Sequence, residues 1–343
     1  MNKNTAENRT ENKTDSTAKK TKTNTDAAVI AGSAVFTLLT FLLCVRAGSV
    51  ELSLQELLSS PIVLSVRLPR VLCVAFTGAA LALCGSVMQG LLKNPLADGS
   101  TLGVSSGAAL GAVTAIAFGI RFPGLPFAGT VIMAAAAAFG SLLLIMALSY
   151  RLDHSLSTNT LILMGVIFSM FASGITNILV TFASDRAKNI LFWTMGSLQG
   201  SGYADALLLF AALAVCSAVL LSLSEELNAF AIGEEDAVHI GVDVKKTKLI
   251  ILITVSLLIG VCVSVGGTIG FVGLVTPHMV RIVAGPDHRK LLPLSMAAGA
   301  VFLMLSDLIA RTLLNPKELP IGVVTSIIGA VVFVVIYAGR RER

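Results

Sequence analysis

The side chains that could do chemistry in this chain are few, and they are charged groups in or beside long apolar runs. Asp307 and Arg311 stand four residues apart in one run, so they share a helix face and predict a local ion pair. Arg67 and Arg70 stand where another run begins. Arginines at a membrane edge either snorkel to the interface or form an anion-facing patch for an external partner's acidic groups. In both arrangements the side chains bind oppositely charged groups, and neither arrangement breaks a covalent bond.

A second group of charged residues lies in a polar segment, 224–248, between two apolar runs. Its Gly233 is followed by acidic residues, which suit the positive N-terminal end of a helix. These residues are Glu234, Glu235 and Asp236. Gly241 stands where a left-handed C-cap would fall. The segment therefore predicts one short helix of about two turns.

Two interpretations of this short helix remain open. It is either part of a solvated linker or a docking helix for a cytoplasmic partner. Ala237, Val238 and Ile240, expected to be exposed among charges, favour docking, because a linker has no use for a capped apolar turn.

Enzyme chemistry has little support in the sequence. The chain has no GxxxxGK[ST] phosphate loop, no GxSxG and no HExxH motif. Asp307 is the only acidic residue well inside an apolar run, so the chain offers too few acidic side chains for a proton relay. A chain without energy chemistry of its own could move a solute uphill only with a partner that supplies energy. This requirement favours the docking interpretation.

A metal site within the chain is not expected either. The five cysteines fall in or beside apolar runs without CxxC spacing, which is typical of small core residues. They are Cys44, Cys73, Cys84, Cys216 and Cys262. The four histidines are scattered, with no i, i+4 pair.

Long apolar runs must position these groups. The chain has 343 residues, of which 55% are hydrophobic and 13% charged, and this composition predicts an all-α polytopic membrane protein. A span needs about 20 largely uncharged residues. Ten spans are predicted, the eighth visibly short: 27–45, 71–92, 101–119, 127–150, 160–183, 204–223, 249–265, 273–284, 291–313 and 321–338.

The Lys and Arg distribution predicts the orientation. With both termini in the cytoplasm, most of the basic residues fall on the cytoplasmic side, in agreement with the positive-inside rule. The topology thereby explains the net charge of +5, and nucleic-acid binding is not needed to account for it. Residues 1–26 are polar and aperiodic, so a disordered cytoplasmic tail is expected before a transmembrane domain, 27–343.

Glycine patterns predict how the spans pack. Small residues recur every four positions in spans two and three, which allows close approach of neighbouring helices. The segment 266–278 holds many glycines and Pro277, so a broken path at membrane depth is expected there.

Six segments carry a family resemblance. RLPR, the long glycine-rich stretch GAALALCGSVMQGLLKNPLADGSTLGVSSGAALGA, GEEDAVHIGV, GTIGFVGLVTPHMVR, DHRKLLP and ELPIGVVTSIIGA stand at 67–70, 78–112, 233–242, 267–281, 287–293 and 318–330. In this order they resemble the FecCD family, the permease subunits of ABC importers for ferric siderophores, haem and cobalamin. The resemblance covers about residues 30–340.

The resemblance implies a type II ABC importer permease with ten helices, located in a bacterial cytoplasmic membrane. It implies a homodimer or a pair with a sister permease, two cytoplasmic ATPase subunits that bind ATP and Mg²⁺, and an extracytoplasmic substrate-binding protein. No cofactor is expected on this chain, and the chain itself is not expected to be an enzyme.

The family's functional residues can be carried to matching positions. The helix that couples to the ATPase falls on 233–241, with residues Gly233, Glu234, Glu235, Asp236, Ala237, His239 and Gly241, and its acidic end is expected to enter a groove on the ATPase. The arginines that dock the binding protein fall on Arg67, Arg70 and Arg311. The inner gate falls on Asn94, Leu96, Thr158 and Asn159.

The mechanism expected from the resemblance is alternating access driven by ATP closure of the partner subunits. The alternative function is a stand-alone secondary transporter, driven by protons through Asp307.

Overall fold

The protein is helical throughout the part that the computed structural model describes, residues 28–48, 60–99, 101–120, 128–154 and 157–340. No strand occurs in these ranges. The predicted all-α fold is therefore confirmed. The predicted disordered tail, 1–26, lies outside the described residues.

The helices are numbered α1 to α13 along the chain. They are α1 Ala28–Arg46, α2 Val63–Leu91, α3 Val104–Phe118, α4 Ala128–Leu152, α5 Thr158–Phe182, α6 Ala187–Thr194, α7 Tyr203–Ser222, α8 Ser224–Ile232, α9 Glu234–His239, α10 Val244–Gly266, α11 Val272–Ala284, α12 His288–Thr312 and α13 Ile321–Arg340.

Ten of these helices coincide with the ten predicted spans. Among the described residues, seven helices are long and apolar enough to cross a membrane, and three shorter apolar helices accompany them in α3, α11 and α13. The predicted short eighth span is α11, with 13 residues. Helices α6 and α8 were not predicted, because two turns are too few for a clear apolar period.

The core is built around α2, which packs most extensively against α12. In the most apolar 18-residue stretch of α2, 78% of the residues are buried, whereas the corresponding share is 17% in α1 and in α5. A Cβ on Gly78 would lie 2.3 Å from the carbonyl oxygen of Gly299 in α12. The predicted close packing of α2 is confirmed, because the two backbones meet with no room for a side chain.

The glycine stripe of α3 packs in the same way against α4. A Cβ on Gly111 would lie 2.2 Å from the carbonyl oxygen of Met133, and one on Gly107 would lie 2.3 Å from the hydroxyl of Ser141. The stripe therefore serves helix packing, as predicted.

The predicted break in the helical path is also confirmed. Helix α10 ends at Gly266 and α11 begins at Val272, and the residues between include Gly267 and Phe271, both with a φ of 68°. The Thr268 hydroxyl donates to the carbonyl of Thr194 at the end of α6. The irregular backbone is thus covered by protein, which is the condition for tolerating it in a membrane.

Candidate docking and coupling sites

Four charged side chains form a cluster that joins α2 to α12 and to the segment before α13. Arg70 places Nη2 2.9 Å and Nε 3.1 Å from Oδ1 of Asp307, and its Nη1 lies 2.8 Å from Oε2 of Glu318. Arg311 places Nε 3.1 Å from Oδ2 of Asp307, as the predicted ion pair requires, although the angle does not make a hydrogen bond. We call Arg70, Asp307, Arg311 and Glu318 the charge cluster.

The charge cluster is buried and balanced. Asp307 is only 1% exposed, and Arg70 and Arg311 are also buried, while the Glu318 side chain keeps 24% of its surface. Arg311 donates a further bond of 2.7 Å to the carbonyl of Cys44 in α1. Two cations and two anions compensate each other, which buried charges need if they are not to cost several kcal/mol each.

Arg67 lies beside the cluster and holds the end of α1. Its Nη1 donates to the carbonyl of Arg46 at 2.6 Å, which satisfies an oxygen that the helix terminus leaves free. The three predicted docking arginines are therefore close in structure, yet each one is buried against its own chain. Their role in docking stays a prediction.

The boundary predicted for span two was wrong. The predicted span begins at residue 71. Instead, a π-helical turn, Val63–Arg67, precedes the α-helical part of α2, and Pro69 occupies its first turn, where its missing N–H costs little. Arg67 and Arg70 consequently lie within the helix, and their side chains point into the protein.

The polar segment contains two helices where one was predicted. Gly233 separates α8 from α9 with an extended backbone, and Gly241, with a φ of 94°, supplies the predicted left-handed C-cap. Ala237 is fully buried, so the prediction that it is exposed was wrong. Val238 and Ile240 are 58% and 68% exposed, as predicted.

Helix α9 is held to α10 by a salt bridge. The Lys248 ammonium, in a side chain that is only 1% exposed, lies 2.7 Å from Oε2 of Glu234. Glu234 is therefore engaged with a residue of its own chain. The remaining acidic residues, Glu235 and Asp236, are exposed together with His239. The outward face of α9 thus combines two carboxylates with apolar side chains.

Helix α8 is held to α12 by a side-chain network that the sequence analysis missed. Asn228 Nδ2 donates to Oδ1 of Asp287 at 2.8 Å, and Asn228 Oδ1 accepts from the backbone N–H of His288 at 2.9 Å. Partial burial alone would raise the pKa of Asp287, but bonds from Asn228 and the N–H of Arg289, with nearby positive charge, lower that pKa. The anionic Asp287 also caps α12.

The predicted gate residues occupy two places. Asn94 and Leu96 lie in the turn after α2, where Asn94 Oδ1 accepts a bond of 2.9 Å from the N–H of Leu96, and the Leu96 side chain is exposed. Thr158 and Asn159 form the first turn of α5. Within the described residues no hydrogen bond joins the two pairs, so their common role stays a prediction.

A cavity of about 350 Å³ lies between α2, α3, α5, α10 and the break before α11. Hydroxyl and amide groups contribute to its wall: Thr77, Ser105, Ser106, Ser173, Asn177 and Thr268. A second cavity, of about 860 Å³, lies between α6, the start of α7 and the end of α10, and Glu318 reaches it from the charge cluster. No cavity was predicted, because helices far apart in sequence form each wall.

Neither a metal-ligand cluster nor a disulfide contributes to the site in the described part of the chain. No group of three or more His, Cys, Asp or Glu side chains is placed there to hold a metal ion. All five cysteines are free and buried, as predicted. The arrangement can pair charges, present a helix to a partner and enclose space.

Comparison with known proteins agrees with this geometry. The chain is 43% identical over 275 residues to an uncharacterised ABC transporter permease protein, YvrB, of Bacillus subtilis, covering 80% of this chain and 78% of YvrB. It is 41% identical over 282 residues to the cobalamin import system permease protein BtuC of Halobacterium salinarum, covering 82% and 74%.

Two further matches are informative. The Fe(3+) dicitrate transport system permease protein FecC of Escherichia coli is 38% identical over 279 residues, covering 81% of this chain and 83% of FecC. A solved inward-facing structure of an ABC transporter assigned to the metal-chelate type superposes with a TM-score of 0.83 at 33% identity, covering 91% of this chain and 99% of the other. The model of the FecCD transport family matches residues 36–338. This multi-pass membrane protein therefore belongs to the FecCD transport family.

Proposed function

We propose that this protein is the membrane-spanning permease subunit of an ATP-driven importer for a metal chelate. A ferric siderophore is the favoured substrate, with haem or cobalamin as alternatives. Support comes from relatives named for cobalamin import and Fe(3+) dicitrate transport. The observation that carries the proposal is α9, a tethered helix with an exposed acidic and apolar face, in a chain without a phosphate-loop motif.

Energy then comes from two cytoplasmic ATPase subunits that bind ATP and Mg²⁺. Each contacts one permease through Glu235, Asp236, Val238 and Ile240 on α9. Apolar side chains give such a contact area, and the carboxylates give it orientation. This assignment places α9 and both termini in the cytoplasm and the charge cluster at the outer face.

At the outer face, a substrate-binding protein docks on Arg67, Arg70 and Arg311. Arg70 is the least buried of the three, with 10% of its side chain exposed, and its second carboxylate, Glu318, is partly exposed. A carboxylate of the binding protein would compete with Glu318 for this guanidinium. Docking thus exchanges one ion pair for another, which limits the affinity and allows release after each cycle.

Substrate then crosses by alternating access, with a second permease copy or a sister permease completing the pathway. The inner gate is formed by the Asn94–Leu96 turn and by Thr158 and Asn159 of α5. The exposed flank of α5 and the mostly uncharged cavity beside it support passage of a bulky chelate without tight binding. No bond of the substrate is broken by this chain.

Proton coupling through Asp307 has less support. Both carboxylate oxygens of Asp307 face guanidinium groups, and neither of the two described cavities is lined by this residue. A proton carrier needs a route to water on each side. Uptake that collapses with an uncoupler and ignores vanadate would restore this alternative.

Purification of the tagged protein from its native membrane in mild detergent tests the proposal. We expect a soluble ATPase at one copy per permease, identified by mass spectrometry. Glu235→Lys should release this ATPase, whereas Asp185→Lys, a matched reversal of another exposed carboxylate, should retain it. A chain that purifies as a stable oligomer without a nucleotide-hydrolysing companion would overturn ATP coupling.

A further inference from the structure

We propose that Asn228 is a positioning residue that makes α8 move as one body with α12, so that a displacement of α9 reaches the α2–α12 pair and the gate turn that follows α2. The inference rests on the proposed ATPase contact at α9. Both polar atoms of the Asn228 amide form hydrogen bonds. Nδ2 donates to Asp287, and Oδ1 accepts a hydrogen bond from the backbone N–H of His288. Oδ1 also lies 2.8 Å from Nδ1 of His288.

The His288 ring continues this connection into α2. The residue is 2% exposed, and its Nε2 makes no hydrogen bond within the described structure. A Cβ on Gly90 would lie only 2.5 Å from Nε2, so the imidazole fills the space that the glycine leaves at the end of α2. Asn228, through His288, therefore ties α8 to two helices at once.

Helix α12 carries this contact across the protein. Twenty residues separate Asp287 from Asp307, which is about 30 Å of helix at 1.5 Å per residue. Along this length α12 meets α2 at the Gly78–Gly299 crossing, and at the far end Asp307 binds Arg70. Helices α2 and α12 are thus held together at their two ends and at the crossing between them. This arrangement lets the pair tilt as a rigid unit.

Helix α8 needs a side-chain connection to take part in that tilt. Its backbone joins α9 through the single residue Gly233, so a push on α9 arrives at α8 directly. Among the described residues, the other polar contact from α8 to α12 is the Glu225–Arg289 pair, in which both side chains are largely exposed. Exposed pairs contribute little. The buried side chains of Leu227 and Phe230 also hold α8 to the core, and the Asn228 network adds the directional hydrogen bonds that would make α8 follow α12.

A reporter at the gate tests the inference without a known substrate. Leu96→Cys introduces an exposed thiol, while the five native thiols are buried. In the complete complex, its labelling rate with a water-soluble maleimide is measured without nucleotide and with ATP and vanadate. If this reporter shows no nucleotide response in otherwise unaltered complex, the proposed function fails, and the inference fails with it.

Three variants are then compared in this reporter background. Asn228→Asp places a carboxylate against Asp287, and we expect loss of the nucleotide-dependent change in labelling while the ATPase remains bound and hydrolyses ATP. The double variant Asn228→Asp, Asp287→Asn exchanges donor and acceptor across the same 2.8 Å contact and should restore the response. Glu225→Gln is the matched control and should leave the response intact.

Three results would overturn the inference. If Asn228→Asp keeps the full nucleotide response, motion reaches the gate by another route. If Asn228→Asp fails to assemble with the ATPase, or if the double variant assembles without regaining the response, the network has a structural role and does not transmit motion.

Discussion

Replacement of Asp307 by asparagine should destabilise the protein more than any other single change in the charge cluster. The substitution keeps the shape of the side chain but removes the charge that faces both Arg70 and Arg311, at 2.9 and 3.1 Å. Glu318 can then balance only one of the two guanidinium groups. Breaking a buried pair in this way costs about 3–5 kcal/mol, because a charge stays buried without its partner.

Thiol exposure measures this cost directly. All five cysteines are buried in the folded protein, so reaction with a fluorogenic maleimide during denaturant titration reports unfolding. A loss of about 3–5 kcal/mol lowers the folding equilibrium constant by a factor of about 10² to 10⁴. Glu318→Gln, at the partly exposed edge of the cluster, should cost less, about 1–2 kcal/mol.

A second substitution separates charge balance from packing. Arg70→Met, Asp307→Leu and Arg311→Met together remove the three charges that the cluster buries between α2 and α12, and this triple variant should recover most of the lost stability. If Asp307→Asn unfolds within about 0.5 kcal/mol of the unaltered protein, the ion pairs contribute nothing measurable and the argument fails.

Further predictions concern packing and the coupling helix. Gly78→Ala should cost about 1–3 kcal/mol in the same assay, because its Cβ meets the α12 backbone, whereas Gly140→Ala has open space and should be neutral or stabilising; equal effects would contradict the packing argument. Glu234→Gln removes the anionic partner of Lys248 and should cost about 1–3 kcal/mol. Glu235→Gln should leave stability unchanged and weaken co-purification of the ATPase; the opposite pattern would exchange the roles of the two glutamates.

The helices could be predicted because lipid imposes a simple rule on sequence. A long uncharged run must satisfy its backbone internally, so the ten apolar helices, seven of them long enough to cross a membrane, follow from hydropathy alone. Glycine placement leaves an equally direct signal, because Gly241 indicated the left-handed C-cap and the glycines and proline of 266–278 indicated the break before α11.

The side-chain partners could not be predicted in this way. Arg70 and Asp307 are 237 residues apart, and nothing local indicates that they meet. The resemblance assigns Arg70 to an external partner, which stays a prediction, and it gave no indication of the internal partners, Asp307 and Glu318. Asn228 was missed for the same reason, because an isolated amide in a short polar helix has no periodic pattern and its partners come from α12.

The meeting point of α6, α13 and the break before α11 limits how this protein can be redesigned. Gly196, Gly267 and Gly322 each place their α-carbon against a neighbouring carbonyl, and a Cβ on any of them would lie 2.3 or 2.4 Å from that oxygen. Even alanine is too large at these positions. A mutational library for a new cargo should therefore keep all three glycines invariant and place its diversity on the exposed flank of α5, where a changed side chain displaces no backbone.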